Sequence, residues 1–287
     1  MSLKLDAKVV LSEFERGATA KMLVMSDGSS IRVLHRSAPI LTRNNLTMLL
    51  IGGWGTIVDV WDTFTLEVAK YFDVLFLETR EKQSSILVKN SRHDLDRMSE
   101  DVKETLVSFG IDDSKLVIYA LSWGTIVVAD GLAKNKFRPF LTVFVGPVAR
   151  LTLPLFTRYI ISFAPFSIVT LFRPIAKFWI ANVKSKNELE AAAKLRVWNE
   201  ADLRKWHQVA KNVTRQHYWH LYSNIKSTCL IVYAKNDSFH ESAEVKRIIR
   251  LVENSVGIEI CGSEKLVSPL VAELIRQQAE VVGFSEP

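Results

Sequence analysis

Six short runs along the chain are almost wholly apolar, at 47–51, 73–77, 115–119, 141–145, 229–233 and 257–261. Segments with apolar residues at helical spacing lie between or after them, at 61–71, 95–109, 123–134, 241–252 and 269–282. A strand with one wet face alternates apolar and polar residues, whereas a run with no polar face is buried on both sides, as in a mostly parallel sheet covered by helices. The pattern therefore predicts an α/β domain with a mostly parallel central sheet flanked by helices. Ahead of it, residues 7–37 do alternate around an Asp27-Gly28 turn, which predicts an antiparallel hairpin at the edge of that sheet. The last helix has the clearest start, since Ser268 offers an N-cap and Pro269 suits the first helical position.

Residues 149–223 break the strand–helix rhythm. Their first half is rich in Phe, Leu and Ile, including Leu153, Phe156, Tyr159, Phe163, Phe172 and Trp179. The second half places Leu189, Ala193, Val197, Leu203, Trp206 and Val213 at near-helical spacing among many charges. This segment reads as a helical cap inserted into a core made of 1–148 and 224–287.

Composition narrows the classes. A chain of 287 residues with 48% hydrophobic and 24% charged residues is large enough for one domain with an insertion and unlike a disordered chain. Cys229 and Cys261 each fall in an apolar run, as reduced core cysteines do, and residues 1–10 show no signal-peptide pattern, so a cytoplasmic setting is expected. Uncharged runs such as 159–172, which contains Pro165, fall short of the roughly 20 residues that span a bilayer. No transmembrane helix is expected, although the apolar 149–223 segment and the basic charge leave weak contact with a membrane surface open. The net charge of +6 comes from scattered Lys and Arg without interleaved aromatics, which speaks against a nucleic-acid partner.

The candidate chemistry lies in Leu116-Val-Ile-Tyr-Ala-Leu-Ser-Trp-Gly-Thr, where a buried strand runs straight into a helix. Ala120 and Gly124, two residues either side of Ser122, are small because the turn between is too tight for bulk; this is a variant of the nucleophile elbow. Ser122 would stand exposed above the helix N-terminus. There the helix dipole and the backbone N–H of Trp123 can stabilise a developing oxyanion.

Upstream, Met48-Leu-Leu-Ile-Gly-Gly-Trp-Gly-Thr also leaves a strand and approaches a helix, and Asp237 closes Ile231-Val-Tyr-Ala-Lys-Asn-Asp just after another. With the elbow, these segments resemble the α/β-hydrolase family in the order oxyanion turn, elbow, cap and acid, over roughly residue 47 to the C-terminus. The resemblance implies the α/β-hydrolase fold, Gly53 or Trp54 as the second oxyanion donor, and Asp237 as the catalytic acid. Ile51 stands where the family commonly has His. Glu78-Thr-Arg-Glu-Lys-Gln-Ser-Ser takes the place of the family's Asp-x-Arg-Gly-x-Gly-x-Ser turn, keeping Arg80 and a serine and losing both glycines. The Ser-Trp-Gly-Thr core is similar to that of proline iminopeptidases and related cap-bearing hydrolases.

One part of the family pattern is missing. The family's general base is a His in the loop after the last strand, and here that loop, 260–269, has none; no histidine lies beyond His240. A serine hydroxyl needs a neighbouring base to react at neutral pH. His240 follows Asp237 by three residues in the same loop, a closeness that seldom gives an in-line acid and base. Glu264 in the vacated loop is a weaker base, and His217 or His220 could descend from the cap; their spacing also suggests a metal pair, although no third ligand is in view. The remaining alternative is a hydrolase-like binding protein in which Ser122 no longer reacts.

Taken together, the residues predict a serine hydrolase acting on a small, largely apolar ester, thioester or amide. Ser122 is the nucleophile, Asp237 the acid, His240 the candidate base, and Gly53, Trp54 and Trp123 the oxyanion donors. Water resolves an acyl-enzyme with no metal or organic cofactor, and transfer of the acyl group to another acceptor is equally permitted by the elbow.

Overall fold

In a computed structural model, which describes residues 11–150, 202–213, 216–235, 237 and 240–285, the apolar runs become the strands of one sheet. The strands are β1 (Thr19–Val24), β2 (Ser30–Arg36), β3 (Thr47–Ile51), β4 (Asp73–Leu77), β5 (Leu116–Leu121), β6 (Leu141–Val145), β7 (Cys229–Lys235) and β8 (Ser255–Cys261). Their order across the sheet is β1-β2-β4-β3-β5-β6-β7-β8. β2 pairs antiparallel with both β1 and β4, and each remaining neighbouring pair is parallel. The described helices are α1 (Glu13–Arg16), α2 (Asp62–Val68), α3 (Leu95–Ser108), α4 (Trp123–Ala133), α5 (Leu203–Val213), α6 (Trp219–Tyr222), α7 (Ser242–Leu251) and α8 (Pro269–Ser285).

The two-residue period of a strand explains why the central runs need no polar face. Along β5, Leu116, Ile118 and Ala120 join the core beneath α3, α4 and α7, while Val117, Tyr119 and Leu121 join the opposite core beneath α2 and α8. Burying each large apolar side chain contributes about 1.5–3 kcal/mol, so the central strands anchor both layers. The edge strand β8 behaves differently: most of its residues are exposed or half-buried. The expectation that both cysteines are core residues therefore holds for Cys229, which is buried, and fails for Cys261, which is exposed on that edge.

Other boundaries differ for local reasons. The described hairpin starts at Thr19; ahead of it Ser12 and Glu15 form a reciprocal capping box that makes α1, and residues 7–10 lie outside the described residues. The helix expected over 61–71 opens with a 3-10 turn at Val58–Trp61 and becomes α-helical only from Asp62, whose carboxylate accepts the N–H groups of Glu13 and Phe14. Ser268 turns its hydroxyl to the carbonyl of Lys265 at 2.6 Å rather than capping α8, so only its own carbonyl starts the helix ladder. Of 149–223, α5 and α6 are described, whereas the apolar stretch from Leu153 to Trp179 and the positions Leu189, Ala193 and Val197 lie outside the described residues. Among the described residues no helix is long and apolar enough to cross a membrane.

Candidate active site

The turn from β5 into α4 puts Ser122 at φ 51°, ψ −116°, in the left-handed half of backbone space that L-residues avoid. Such strain costs about 1–3 kcal/mol and persists only where the surroundings hold it. Here the Ser122 N–H donates to Val145 O at 2.9 Å, and its carbonyl accepts both the N–H and the hydroxyl of Thr125. Thr125 is itself hydrogen-bonded to the hydroxyl of Tyr222, which donates to Val148 O at 2.9 Å. A β-carbon on Gly124 would lie 2.8 Å from the carbonyl oxygens of Ile51 and Gly52, so the elbow rests directly on the end of β3 and only glycine fits. Although Ser122 occupies the N-cap position of α4, its side chain makes no capping bond.

The hydroxyl points to His240 instead. His240 Nε2 lies 3.0 Å from Ser122 Oγ, and Nδ1 lies 2.8 Å from Asp237 Oδ2. A carboxylate can only accept, so the hydrogen between Asp237 and His240 sits on Nδ1; Nε2 of the neutral ring is then an acceptor for the Ser122 hydroxyl. Asp237 has 2% of its side chain exposed and His240 12%, so the carboxylate is dry and the imidazole reaches the surface of the site. Asp237 follows β7 and His240 precedes α7, two strand positions from the elbow. The imidazole lies against Gly146 at the end of β6 (φ 51°), where a β-carbon would come within 3.1 Å of the ring. Gly146 therefore gives the loop after β7 room to fold back towards Ser122.

The loop after β3 supplies the opposite wall. A β-carbon on Gly53 would meet Ser122 Cβ at 3.3 Å, so the Gly53 backbone is in contact with the elbow. Among the described residues no acceptor takes the N–H groups of Gly53, Trp54 or Trp123. The Gly53 carbonyl accepts the Thr56 N–H at 3.2 Å, the Thr56 hydroxyl at 2.8 Å and Lys82 Nζ at 3.0 Å. Lys82 belongs to the turn after β4, where Arg80, fully buried, holds Asp101 through two bonds of 2.6 Å and Asp27 at 3.0 Å. Helix α5 closes over both loops. Lys205 Nζ donates to the carbonyls of Lys82 at 2.8 Å and Ser85 at 2.7 Å, and Trp206 packs edge-on against Trp54 and over Gly55. Desolvation holds the Lys205 ammonium below its ordinary pKa.

Of the sequence candidates, the structure brings Ser122, His240, Asp237 and Gly53 together. Glu264 is exposed in a 3-10 turn at Ser263–Val267 with its carboxylate folded back over Gly262, and His217 and His220 are exposed. Among the described residues no other imidazole bonds to Ser122, and none of these groups gathers as a metal site. Sequence reasoning gave no role to Gly146, Thr125, Tyr222, Lys82 or Lys205. Two of them left a trace, Thr125 as the last residue of the Ser-Trp-Gly-Thr core and Lys82 as a charge within the turn whose family glycines are missing.

No protein-family model matches the sequence, and no curated protein matches it. Solved structures do. An esterase from Exiguobacterium antarcticum superimposes with a TM-score of 0.74 at 12% identity, over 92% of this chain and 100% of that one. An esterase from Rhodococcus sp. ECU1013 gives 0.72 at 15% identity, over 92% and 99%. The enol-lactonase from Burkholderia xenovorans LB400 gives 0.68 at 14%, over 93% and 100%. The chain has the α/β-hydrolase fold.

Proposed function

We propose that this α/β-hydrolase-fold chain is a serine hydrolase that cleaves a small, largely apolar ester, thioester or amide through an acyl-enzyme, with Ser122, His240 and Asp237 as its triad. The observation that carries the reading is the single imidazole that bonds at once to the Ser122 hydroxyl and the Asp237 carboxylate. As Ser122 Oγ adds to the substrate carbonyl, its proton passes to His240 Nε2, and Asp237 stabilises the imidazolium. The oxyanion is met by the N–H groups of Trp123 and of Gly53 or Trp54, aided by the N-terminal end of α4. Collapse expels the alcohol, thiol or amine, which takes the proton from His240 and leaves the acyl group on Ser122. Water then adds with His240 as base, and a second collapse releases the acid.

We assign 149–223 as the cap and 1–148 with 224–287 as the core. The contacts of α5 with both loops beside Ser122 support that division, and the aromatic rings of Trp54 and Trp206 beside the site support an apolar substrate. The esterase and lactonase neighbours support carbonyl chemistry in the same way.

The test is labelling of the purified protein with a fluorophosphonate, read by intact mass. Wild type is expected to gain one adduct, Ser122→Ala none, and His240→Ala to react at least about 100-fold more slowly. Equal labelling of wild type and Ser122→Ala would remove Ser122 as nucleophile. No labelling of wild type, with turnover of p-nitrophenyl esters also absent, would overturn the reading in favour of a binding protein.

A further inference from the structure

Three of the four residues from Gly52 to Gly55 are glycine, the residue with the greatest backbone freedom, yet an oxyanion donor must be fixed before the reaction begins. We infer that Lys82 is the positioning residue that fixes this loop, through its bond to the Gly53 carbonyl. The inference rests on the serine-hydrolase reading of the site and adds a residue to it.

Lys82 is buried, and among the described residues its Nζ reaches the Gly53 carbonyl at 3.0 Å and Glu81 Oε1 at 3.2 Å. Glu81 is fully buried, and its carboxylate also accepts the Thr79 hydroxyl at 2.7 Å. The carboxylate thus aims the ammonium while the ammonium aims the carbonyl. Described peptide bonds are all trans, so a carbonyl held on one side fixes the Trp54 N–H on the opposite side of the same plane. A β-carbon on Gly53 would come within 3.3 Å of Ser122 Cβ, so the constraint falls beside the elbow, where a donor is needed. A charged donor at a buried carbonyl is also stronger than a neutral one.

The turn that carries Lys82 is held in its own right. Ser85 Oγ donates to the carbonyls of Arg80 and Lys82, and Lys205 from α5 donates to the carbonyls of Lys82 and Ser85. Trp206 on the same helix covers Gly55. Helix α5 therefore grips both the loop and the turn that positions it.

The experiment compares fluorophosphonate labelling of wild type and Lys82→Met, resolving the rate at saturating probe, the half-saturating concentration and the final labelled fraction. A positioning role lowers the saturated rate by about 10–100-fold, since misplacement by about 1 Å costs on the order of 100-fold. Half-saturation and the labelled fraction stay as in wild type; a loss of folded protein would instead lower the fraction and leave the rate of the remainder unchanged. If Lys82→Met does not fold because Glu81 is stranded, Lys82→Met combined with Glu81→Gln is judged by the same criteria. A saturated rate within twofold of wild type overturns the role of Lys82 and leaves the triad standing. Absence of labelling in wild type overturns both.

Discussion

Replacing Gly146 by alanine tests the packing that brings His240 to Ser122. Gly146 has φ 51°, and a left-handed conformation costs an L-residue about 1–2 kcal/mol. Gly110 provides the matched control: its φ is 63°, and a β-carbon there meets nothing within 4 Å. Gly110→Ala and Gly146→Ala should share the backbone penalty and each lower the melting temperature by a few degrees, at about 2–4 °C per kcal/mol for a chain of this class. Only Gly146→Ala adds a collision. Its β-carbon would sit 3.1 Å from His240 Cγ and Nδ1, whereas ordinary contact begins at 3.4 Å, so the ring must retreat by about 0.3 Å. If about 1 Å of misplacement costs on the order of 100-fold and the cost scales logarithmically, this retreat slows the reaction about 4-fold, and a ring that swings clear of Ser122 slows it about 100-fold. The assay is the fluorophosphonate labelling rate of both variants beside their thermal midpoints. Matched midpoints with Gly146→Ala at least about 4-fold slower than Gly110→Ala is the expected result. Equal labelling rates would refute the claim that Gly146 makes room for the base.

Asp237→Asn should keep the fold and lower turnover of any ester substrate by on the order of 10⁴-fold, because an amide cannot hold the imidazole with its hydrogen on Nδ1; steady-state kinetics checks this. Arg80→Met strands Asp101, which keeps only Arg97 as a cationic partner, and should cost about 3 kcal/mol in urea unfolding; a loss below about 1 kcal/mol would contradict the buried-pair account. Burial, helped by the cations of Arg80 and Lys205, holds the His93 imidazole below its ordinary value of 6.5. Below pH 6.5 the unfolded chain therefore takes up a proton that the folded chain refuses, so acid lowers stability until the folded value is passed. His93→Gln should flatten the fall in urea midpoint between about pH 7 and 5; an unchanged slope would exclude His93 as the cause.

The five central strands from β3 to β7 were legible because a run such as Met48-Leu-Leu-Ile carries its burial in its own composition. The elbow was legible for a related reason. Gly124 faces two carbonyl oxygens at 2.8 Å, and a steric demand of that kind writes itself into residue type whatever the serine does. Asp237 was singled out through the family resemblance, which places an acid just after a strand at that point in the chain. Cys261 was misjudged because Gly257-Ile-Glu-Ile-Cys has much the same composition as a central strand, and its exposure depends on β8 lying at the edge of the sheet.

The amino-acid sequence by itself determined the α/β layering, the strained serine above a helix N-terminus and the flexible glycine loop beside it, since each follows from local period, size and backbone freedom. Tertiary structure alone decided which group faces Ser122. Asp237 and His240, three residues apart, had no sequence-level reason to line up with the hydroxyl of Ser122, 118 residues from His240. Their alignment depends on β6 separating β5 from β7, on the path of the loop after β7, and on the missing side chain of Gly146. Lys82 became informative in the same way, once the turn after β4 was seen to lie against the carbonyl of Gly53. Contacts between distant segments are set by strand order and loop direction, and neither has a period that a sequence can display.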